Sequence, residues 1–443
     1  MIAGGSSERR ILRARRARDG AEADPRHRPA GLTWLMASEL FASALGFGVM
    51  VHLARRLGPP GFARVEFASA VAAWLLVVVR GGVDVIVYRE AARRPRLVRP
   101  LTELLIGLRI AAALVGYAIV LAVAALAGGD RGGVVAVAGL ILVPSAFVAD
   151  VGLRAEGRLR ALALAQGVRA VGYAGLAVGL VRGPGDAARA AWCLASAEGF
   201  AALVPLAWHT TAHGLPRPRW RRRSWTVLTY RGAITGLTRF GRVSLYGADL
   251  LVLGWWAAPE LGAYAAARRL VFALVALGLV VPAAMAPAIA RAWASGAPLA
   301  RGLIADGLAR LWMLSLSATI GLIVLADWGM PFLFGRAYRQ GGPWLALVAA
   351  RLPWLLTTSF LQAALVSCRR ETWVLDQVVG LSALALVIVP AAAAVAGAWG
   401  VGWAVLMIEV AGSVGGWRML ERLGVAPTWL SNGALQCRDV RKA

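Results

Sequence analysis

The sequence has few of the residues that build catalytic and metal-binding sites. Its 3 cysteines, Cys193, Cys368 and Cys437, are too far apart to predict a disulfide framework or a metal-ligand spacing. Its 4 histidines are scattered and form no His-Glu-x-x-His pattern. There is also no glycine-rich nucleotide loop and no acidic cluster suited to a metal ion. We therefore expect no cofactor and no metal, and neither an ATPase nor a sugar-nucleotide transferase.

Acidic residues are scarce as well, with 23 Asp and Glu against 48 Lys and Arg. A net charge of +25 would indicate nucleic-acid binding in a soluble protein. Long polar stretches are few, however, because 59% of the residues are hydrophobic. Apolar runs of about 18 residues or more, the length that crosses a bilayer as a helix, recur along almost the whole chain. The sequence thus predicts an all-α integral membrane protein.

The hydrophobic pattern predicts about twelve membrane-spanning helices. An even number of crossings places both termini on the same side of the membrane. The proposed spans are roughly 32–54, 67–88, 101–127, 134–153, 162–181, 190–208, 233–256, 261–290, 303–326, 343–367, 373–396 and 399–417.

The basic residues are distributed unevenly between the two sides of this layout. The termini and the loops on their side carry 31 of the 48, whereas the loops on the other side carry 8. By the positive-inside rule, both termini are then cytoplasmic. Membrane topology and contact with anionic lipids account for most of the charge, so we expect no nucleic-acid partner.

The longest connection between the spans divides them six and six. We therefore predict a basic cytoplasmic tail, an N-lobe, an interfacial linker, a C-lobe and a second cytoplasmic tail. Their ranges are 1–31, 32–208, 209–232, 233–420 and 421–443. The linker interleaves arginine with tryptophan and tyrosine, a composition that suits the headgroup layer on the cytoplasmic side.

The apolar stretch 67–88 contains charged residues at membrane depth. Arg80 and Asp84 are four residues apart and so share one helix face, while Gly81 and Gly82 weaken the helix between them. A charge at the bilayer centre costs about 2.5 to 3.5 kcal/mol on insertion scales unless it faces protein or a wet cavity. Two interpretations are open: an ion pair packed inside the helix bundle, or a polar cavity that handles an anionic substrate.

Two segments are similar to a known family of membrane proteins. Segment 53–70 contains an Arg-x-Leu-Gly turn, and the dipeptide Arg-Glu follows the second span at 89–90. Segment 246–291 contains an aspartate, a Glu-Leu-Gly-Ala-Tyr turn and two late prolines. These features resemble the polysaccharide transporters of the O-antigen flippase type. Ala63 and Val65 depart from the family pattern, in which glycine and tyrosine are usual.

The resemblance covers residues 32 to about 420. It implies the fold of the multidrug/oligosaccharidyl-lipid/polysaccharide (MOP) flippases, with two six-helix lobes around a central cleft that opens to each side in turn. It also implies a bacterial cytoplasmic-membrane protein, not an enzyme, that moves undecaprenyl-pyrophosphate-linked oligosaccharide. The implied partners are this substrate, membrane lipids, a coupling ion such as H⁺ or Na⁺, and other polysaccharide-assembly proteins.

In this fold the first two helices of each lobe mainly line the cleft, so charges buried on those helices are the candidate substrate-binding residues. Arginine suits a pyrophosphate because its guanidinium group matches phosphate oxygens bidentately. The candidates are Glu39, Arg80, Asp84, Arg239, Arg242, Asp249, Arg268 and Arg269.

A coupling ion usually needs a buried carboxylate in the membrane. The candidates for this role are Asp84, Asp249 and Glu409. Glu409 and Arg351 are open to two interpretations, an ion pair within the C-lobe or an ion-coupling site. Arg169 and Glu198 are interpreted as an ion pair within the N-lobe.

Three other functions stay open. A multidrug/cation antiporter of the same fold should favour carboxylates in its cleft, whereas the candidate set holds five arginines and three acids. A peptidoglycan-precursor flippase is closer in chemistry and is compatible with the sequence. A membrane glycan polymerase or ligase typically places catalytic Arg and His on a long outer loop, and the longest one here, 327–342, has no histidine.

Overall fold

The computed structural model describes residues 27–256 and 258–427. Most of the two predicted tails, 1–31 and 421–443, lies outside these ranges, so their cytoplasmic location stays a prediction. Throughout the two described ranges every regular element is a helix, and no strand is present. The predicted all-α class is confirmed.

The N-lobe is built from eight α-helices. They are α1 (His27–Arg80), α2 (Val83–Arg93), α3 (Val98–Ala127), α4 (Gly129–Gly139), α5 (Leu142–Ala146), α6 (Val151–Ala155), α7 (Leu159–Leu180) and α8 (Ala187–His213), with a 3₁₀ turn at Pro95–Leu97. Helix α1 consists of two helices joined at Gly58, whose φ of 67° is unfavourable for other residues. Pro59 and Pro60 follow, and because proline has no N–H the break stays at this point.

The C-lobe also contains eight α-helices. They are α9 (Arg222–Trp255), α10 (Leu261–Gly278), α11 (Val280–Ser295), α12 (Ala297–Val324), α13 (Ala326–Phe334), α14 (Gly342–Ala349), α15 (Leu352–Ser367) and α16 (Glu371–Arg422), with a 3₁₀ helix at Arg336–Gly341. Helix α16 is interrupted at Ala396 and Gly397, where the backbone leaves the helical conformation.

Nine helical segments of the described chain are long and apolar enough to cross a membrane. Two of them, Ala37–Arg93 and Glu371–Arg422, each make two passes because their helices break at Gly58 and at Gly397. Helix α9 adds one more pass, since its 34 residues are long enough although its apolar part carries three charges. The described chain therefore makes the predicted twelve passes, in two lobes of six.

Hydrogen bonds link the two lobes at one end of the molecule. We call the face where α1 begins and α16 ends the proximal face, and the face that carries the breaks in α1 and α16 the distal face. At the distal face Arg55 of the N-lobe donates hydrogen bonds to the carbonyl oxygens of Leu333, over 2.7 Å, and Phe332, over 2.6 Å. The Tyr338 hydroxyl donates to the carbonyl oxygen of Ala54 over 3.2 Å. These bonds hold the distal face closed.

The lobes also meet along a seam between α1–α2 and α9. Gly82, between α1 and α2, has a φ of 66°, and a Cβ atom at this position would overlap the backbone nitrogen of Gly236. Glycine is required here both by the backbone conformation and by the close approach of the two chains. Further along the seam, the Trp74 ring packs edge-on against Phe240, with centroids 5.5 Å apart.

The connection between the lobes is short, because α8 continues to His213 and α9 begins at Arg222. It is held against the N-lobe by Arg219, whose Nε lies 2.6 Å from Oε2 of Glu103 on α3. The predicted linker 209–232 is thus helical at both ends. Its place in the headgroup layer and the predicted domain boundaries stay predictions.

Candidate functional site

A charged cavity of about 420 Å³ lies in the proximal half of the N-lobe. We call it the arginine cavity. Helices α1, α2, α3, α6, α7 and α8 contribute to its wall, and α9 of the C-lobe contributes one arginine. The charged residues in the wall are Arg80, Arg109, Arg154, Arg169, Arg239, Glu39, Asp84, Asp150 and Glu198.

One group in this cavity consists of two arginines around one acid. Arg80, the last residue of α1, donates a hydrogen bond from Nη2 to Oε1 of Glu198 on α8. Nη1 of Arg169, on α7, lies 4.0 Å from Oε2 of the same carboxylate. The pairing of Arg169 with Glu198 agrees with the interpretation from the sequence. Two guanidinium groups from different helices therefore share a single negative charge.

A second group is centred on Asp84. It does not form an ion pair with Arg80, because the chain turns through positive φ at Gly81 and Gly82 and separates the two side chains. Instead, Nη2 of Arg109 donates to Oδ1 of Asp84 over 2.7 Å, and both side chains are buried. Nη1 of Arg239, from the C-lobe, lies 4.0 Å from Oδ2 of Asp84. Asp84 thus brings charges from both lobes to one place.

A third group combines an acid, an arginine and a phenol. Nε of Arg154 donates to Oδ2 of Asp150 over 2.6 Å, and the Tyr88 hydroxyl donates to Oδ1 over 3.0 Å. The guanidinium group of Arg154 lies over the Tyr88 ring, 5.1 Å from its centroid. Exposed faces of aromatic rings and hydroxyl groups are suited to contacts with polar organic ligands.

The burial of these groups decides the character of the cavity surface. The side chains of Arg80, Arg154, Arg169 and Arg239 are 39 to 48% exposed, whereas those of Asp84, Asp150 and Glu198 are 7 to 9% exposed. Asp84, Asp150 and Glu198 lie beneath the arginines and fix their positions, whereas Glu39 is exposed in the same wall. Although the numbers of acids and arginines are similar, the surface offered to a ligand is cationic, and guanidinium donors bind phosphate oxygens strongly.

A central cavity of about 400 Å³ lies between the lobes and adjoins the arginine cavity at Arg169. Its walls come mainly from α1 and α7 on one side and from α10 on the other. Nε of Arg269, on α10, lies 3.0 Å from Oε2 of Glu66 on α1. This ion pair crosses the cleft and links the two lobes within it.

A third cavity, of about 540 Å³, lies in the C-lobe and adjoins the central cavity at Phe272 and Ala276. It is mostly apolar. Its charged residue, Arg242, donates a hydrogen bond from Nη2 to Oε1 of Gln362 over 2.9 Å. The three adjoining cavities extend from the charged N-lobe, across the cleft, into an apolar part of the C-lobe.

A buried charge cluster lies in the C-lobe. Asp249 accepts hydrogen bonds from the Tyr264 hydroxyl over 2.8 Å, from Nε of Arg268 over 3.1 Å and from Nη1 of Arg351 over 3.2 Å. Glu409 is less well satisfied, because its Oε1 lies 3.8 Å from Nη2 of Arg351 and has no hydrogen-bond partner in the described chain. Both Glu409 and Arg351 are 1% exposed.

The structure brings most of the predicted substrate-binding residues to the adjoining cavities. Glu39, Arg80, Asp84 and Arg239 line the arginine cavity, Arg269 lines the central cavity, and Arg242 lines the C-lobe cavity. Asp249 and Arg268 lie instead in the buried cluster, together with Arg351 and Glu409. Among the ion-coupling candidates, Asp84 therefore faces a cavity, and Asp249 and Glu409 belong to the cluster.

Four charged cavity residues were absent from the prediction. Glu66 lies one residue before the second predicted span, 67–88, so it is not among the charges predicted to be buried in the membrane. The prediction took its candidates mainly from the first two helices of each lobe. Arg109, Asp150 and Arg154 lie on or beside other helices. Arg109 carried a usable signal, because an arginine inside an apolar run normally faces protein or a wet cavity.

A family model described as a polysaccharide biosynthesis protein matches residues 30–293, more than half of the sequence. The chain belongs to this family. The prediction from the sequence, a polysaccharide transporter of the MOP superfamily, is confirmed. No protein with a curated description matches the sequence.

Solved structures with the same fold are MOP-type transporters of low sequence identity. A MATE multidrug resistance transporter in an inward-facing conformation is 14% identical, with a TM-score of 0.66 over 89% of this chain and 96% of that chain. The lipid II flippase MurJ, inward closed, is 11% identical, with a TM-score of 0.67 over 89% and 88%. An outward-facing MATE transporter is 15% identical and gives a TM-score of 0.54 over 89% and 95%. The family membrane fold is thus established.

Proposed function

We propose that this family member is a flippase that moves a lipid-linked oligosaccharide across the bacterial cytoplasmic membrane by alternating access. The proposed cargo is an oligosaccharide joined by a diphosphate to an undecaprenyl chain. One observation carries the proposal: half-exposed guanidinium groups from both lobes cover buried acids in the arginine cavity. The proposed role is transport, not catalysis.

The diphosphate is the part of this cargo that the arginine cavity recognises. Arg80 and Arg169 share the single charge of Glu198, so each keeps donors for an incoming anion. Arg239 lies 4.0 Å from Asp84 across the lobe boundary, beyond hydrogen-bond distance. A diphosphate between these three guanidinium groups would replace weak contacts with bidentate ones.

The remaining parts of the cargo fit the surroundings of the arginine cavity. The central cavity is large enough for part of a saccharide and offers Tyr173 and Ser43 in its wall. Loading takes place from the proximal side, because the distal face is closed by Arg55 and Tyr338. With the predicted topology, the proximal side is the cytoplasm, where lipid-linked saccharides are accessible for loading.

A cationic drug would require a different surface. Carboxylates that bind organic cations must reach the cavity surface, whereas Asp84, Asp150 and Glu198 lie beneath arginines. Glu39 is the exposed acid in this wall, and it is outnumbered by four half-exposed arginines. A multidrug antiporter is therefore the less suitable function for this cleft. Because the cavity recognises a diphosphate, a peptidoglycan precursor with the same linkage is the closest alternative cargo.

The vesicle experiment uses purified protein and a fluorescent lipid-linked oligosaccharide. We expect Arg80→Gln and Arg239→Gln each to lower the initial rate of translocation by about tenfold or more, because each removes a charged hydrogen-bond donor. Arg93→Gln is the matched control, since Arg93 is an exposed arginine outside the cavities. Wild-type rates in both cavity variants, with folded protein confirmed by gel filtration, would contradict the proposal. A parallel assay of organic-cation transport distinguishes the multidrug alternative.

We further propose that Glu409, among the three ion-coupling candidates, binds the coupling proton. Asp249 accepts three side-chain hydrogen bonds, and Asp84 is held by Arg109, so both carboxylates are already satisfied. Glu409 is buried with one oxygen unpaired. Among the three, a buried carboxylate with an oxygen that accepts no hydrogen bond is the one that gains most from taking up a proton.

Glu409→Gln mimics the protonated acid and should therefore make translocation insensitive to a proton gradient. The measurement compares translocation rates with and without a gradient across the vesicle membrane. Glu371→Gln is the control, because Glu371 is exposed at the start of α16. A Glu409→Gln protein that keeps the wild-type response to the gradient would rule out Glu409 as the coupling group.

A further inference from the structure

An apolar groove lies on the side of the molecule, outside the three adjoining cavities. We call it the lateral groove; its volume is about 350 Å³, and none of its lining residues belongs to those cavities. Its walls come from α1 and α3 of the N-lobe and from α9 and α16 of the C-lobe, so the groove follows the seam between the lobes. The lining residues are Phe67, Val71, Trp74, Leu75, Ile119, Val123, Ala248, Leu251, Val252, Trp255, Trp256, Ala385, Leu386 and Pro390.

The lateral groove opens onto an apolar surface of the membrane-spanning helices. Its lining residues lie mostly in the distal halves of their helices, and Ile119, Leu386 and Trp255 are exposed. At its proximal end it is closed, since Trp74 packs on Phe240 where the two helices come together. An apolar chain is therefore the chemical group that fits the groove.

The distal end of the lateral groove leads into a small cationic pocket. This distal arginine pocket has a volume of about 260 Å³ and shares Phe67 with the groove. Arg64 and Arg131 line it, near the turns that join the first two helices of each lobe. The acid that contacts Arg64 is Asp130, with Oδ2 3.2 Å from Nη1.

Both arginines keep donors for a ligand. Nη1 of Arg131 reaches the carbonyl oxygen of Gly254 only at 3.5 Å, and Asp130 engages one nitrogen of Arg64. A guanidinium group has five N–H donors, so most donors in the pocket are uncommitted. Because an apolar groove ends at two arginines, the combined shape is complementary to an amphiphile with a small anionic head.

We propose that the lateral groove and the distal arginine pocket bind one prenyl phosphate lipid, with the phosphate at Arg64 and Arg131 and the chain along the groove. The choice of a prenyl lipid rests on the proposed function, since the cargo brings a prenyl chain to the distal leaflet beside the seam. The site is separate from the arginine cavity.

The test measures lipid binding by native mass spectrometry of the full chain in zwitterionic nanodiscs titrated with polyprenyl phosphate. Ile119→Trp fills the groove and should weaken binding of the lipid by about tenfold. A loss of this size corresponds to roughly two methylene groups of the lipid chain that are no longer buried. Leu121→Trp is the matched control, because both side chains are 46% exposed on α3 and Leu121 lies outside the groove. Equal binding by the two variants overturns the groove assignment.

A second pair of probes tests the headgroup. Arg64→Gln combined with Arg131→Gln should weaken binding of polyprenyl phosphate about tenfold and leave binding of the neutral polyprenol unchanged. Arg189→Gln is the control on the same face. Equal loss for both lipids overturns the phosphate assignment, and full competition by phosphatidylglycerol overturns the choice of a prenyl lipid.

The outcome can be separated from that of the proposed function. Arg80→Gln should abolish most translocation and keep prenyl phosphate binding at the lateral groove, because the two sites share no residue. Translocation of lipid-linked oligosaccharide without saturable prenyl phosphate binding would overturn the groove site alone. Prenyl phosphate binding without any translocation would contradict the proposed function and leave the lipid site standing.

Discussion

At the scale of single residues, the arginine cavity depends on acids that lie beneath the guanidinium groups. The pair Asp84–Arg109 is the most buried of these, and it has the short distance of 2.7 Å expected for a charged hydrogen bond. Removing one partner of such a pair leaves an isolated charge in the protein interior, whereas removing both does not.

We therefore predict that Arg109→Leu lowers the free energy of unfolding by about 3 to 5 kcal/mol. Combining it with Asp84→Leu should recover most of this loss, because no unpaired charge then stays buried. The measurement is reversible denaturation in detergent. Arg94→Leu is the control, since its pair with Glu90 is exposed and such pairs contribute about 1 kcal/mol or less. Additive losses in the double variant would show that the pair does not act as a unit.

The sequence was sufficient to predict individual charges in the membrane-spanning helices, but not the residues with which they form ion pairs. Arg80, Arg239 and Arg269 stand out because an arginine in an apolar helix needs a polar environment. The acid that each one faces comes from another helix, as with Glu198 and Glu66. Such pairings depend on which helix faces pack together, and a single sequence contains no direct signal for that.

At the scale of secondary structure elements, the kink between α1 and α2 controls the geometry of the site. Gly81 and Gly82 both have positive φ, so α2 leaves the direction of α1 immediately after Arg80. The kink turns Asp84 towards Arg109 and leaves Arg80 facing Glu198. The sequence indicated a weak point here, because two consecutive glycines in a span destabilise a helix, but it did not indicate the contact with α9.

We predict that Gly82→Ala lowers stability by about 1 to 3 kcal/mol, because alanine is strained at this φ and its Cβ would overlap the backbone of Gly236. The translocation rate should fall as well, since α2 carries Asp84. Gly133→Ala is the control, because nothing lies within 4 Å of a Cβ atom at that helical position. There, alanine should stabilise the protein by about 0.5 to 1 kcal/mol. Thermal denaturation and the vesicle assay give both readouts, and an unperturbed Gly82→Ala protein would show that the seam is not tight.

At the scale of the whole molecule, the two breaks in α1 and α16, together with helix α9, account for twelve predicted passes where nine apolar segments are present in the described chain. At each break a glycine lies where the chain reverses direction at the distal face. A few neighbouring residues of the sequence are enough to predict such a break. The closed distal face is different, because it depends on long-range contacts such as Tyr338 with Ala54. The conformation of the lobes could therefore not be predicted from the sequence, although the twelve-helix fold could.

The distal closure leads to a prediction about alternating access. Arg55 makes two hydrogen bonds to the carbonyl oxygens of Phe332 and Leu333, and both must break before a cargo leaves on the distal side. Arg55→Ala should shift the equilibrium towards the open distal face by about 1 to 2 kcal/mol, since exposed bonds contribute less than buried ones. That is roughly a five- to thirty-fold change in the population ratio.

Double electron–electron resonance measures distances between spin labels, here attached at positions 185 and 339 of a variant without the native cysteines. These distances report the equilibrium, because Gly185 and Arg339 lie at the distal face of opposite lobes. The long-distance population should grow in Arg55→Ala and stay unchanged in Arg336→Ala, which removes an exposed arginine from the same face. If Arg55→Ala keeps the wild-type distance distribution, closure does not depend on these two bonds. If the long-distance population grows while proximal binding of the lipid-linked saccharide weakens, the two faces are coupled, as alternating access requires.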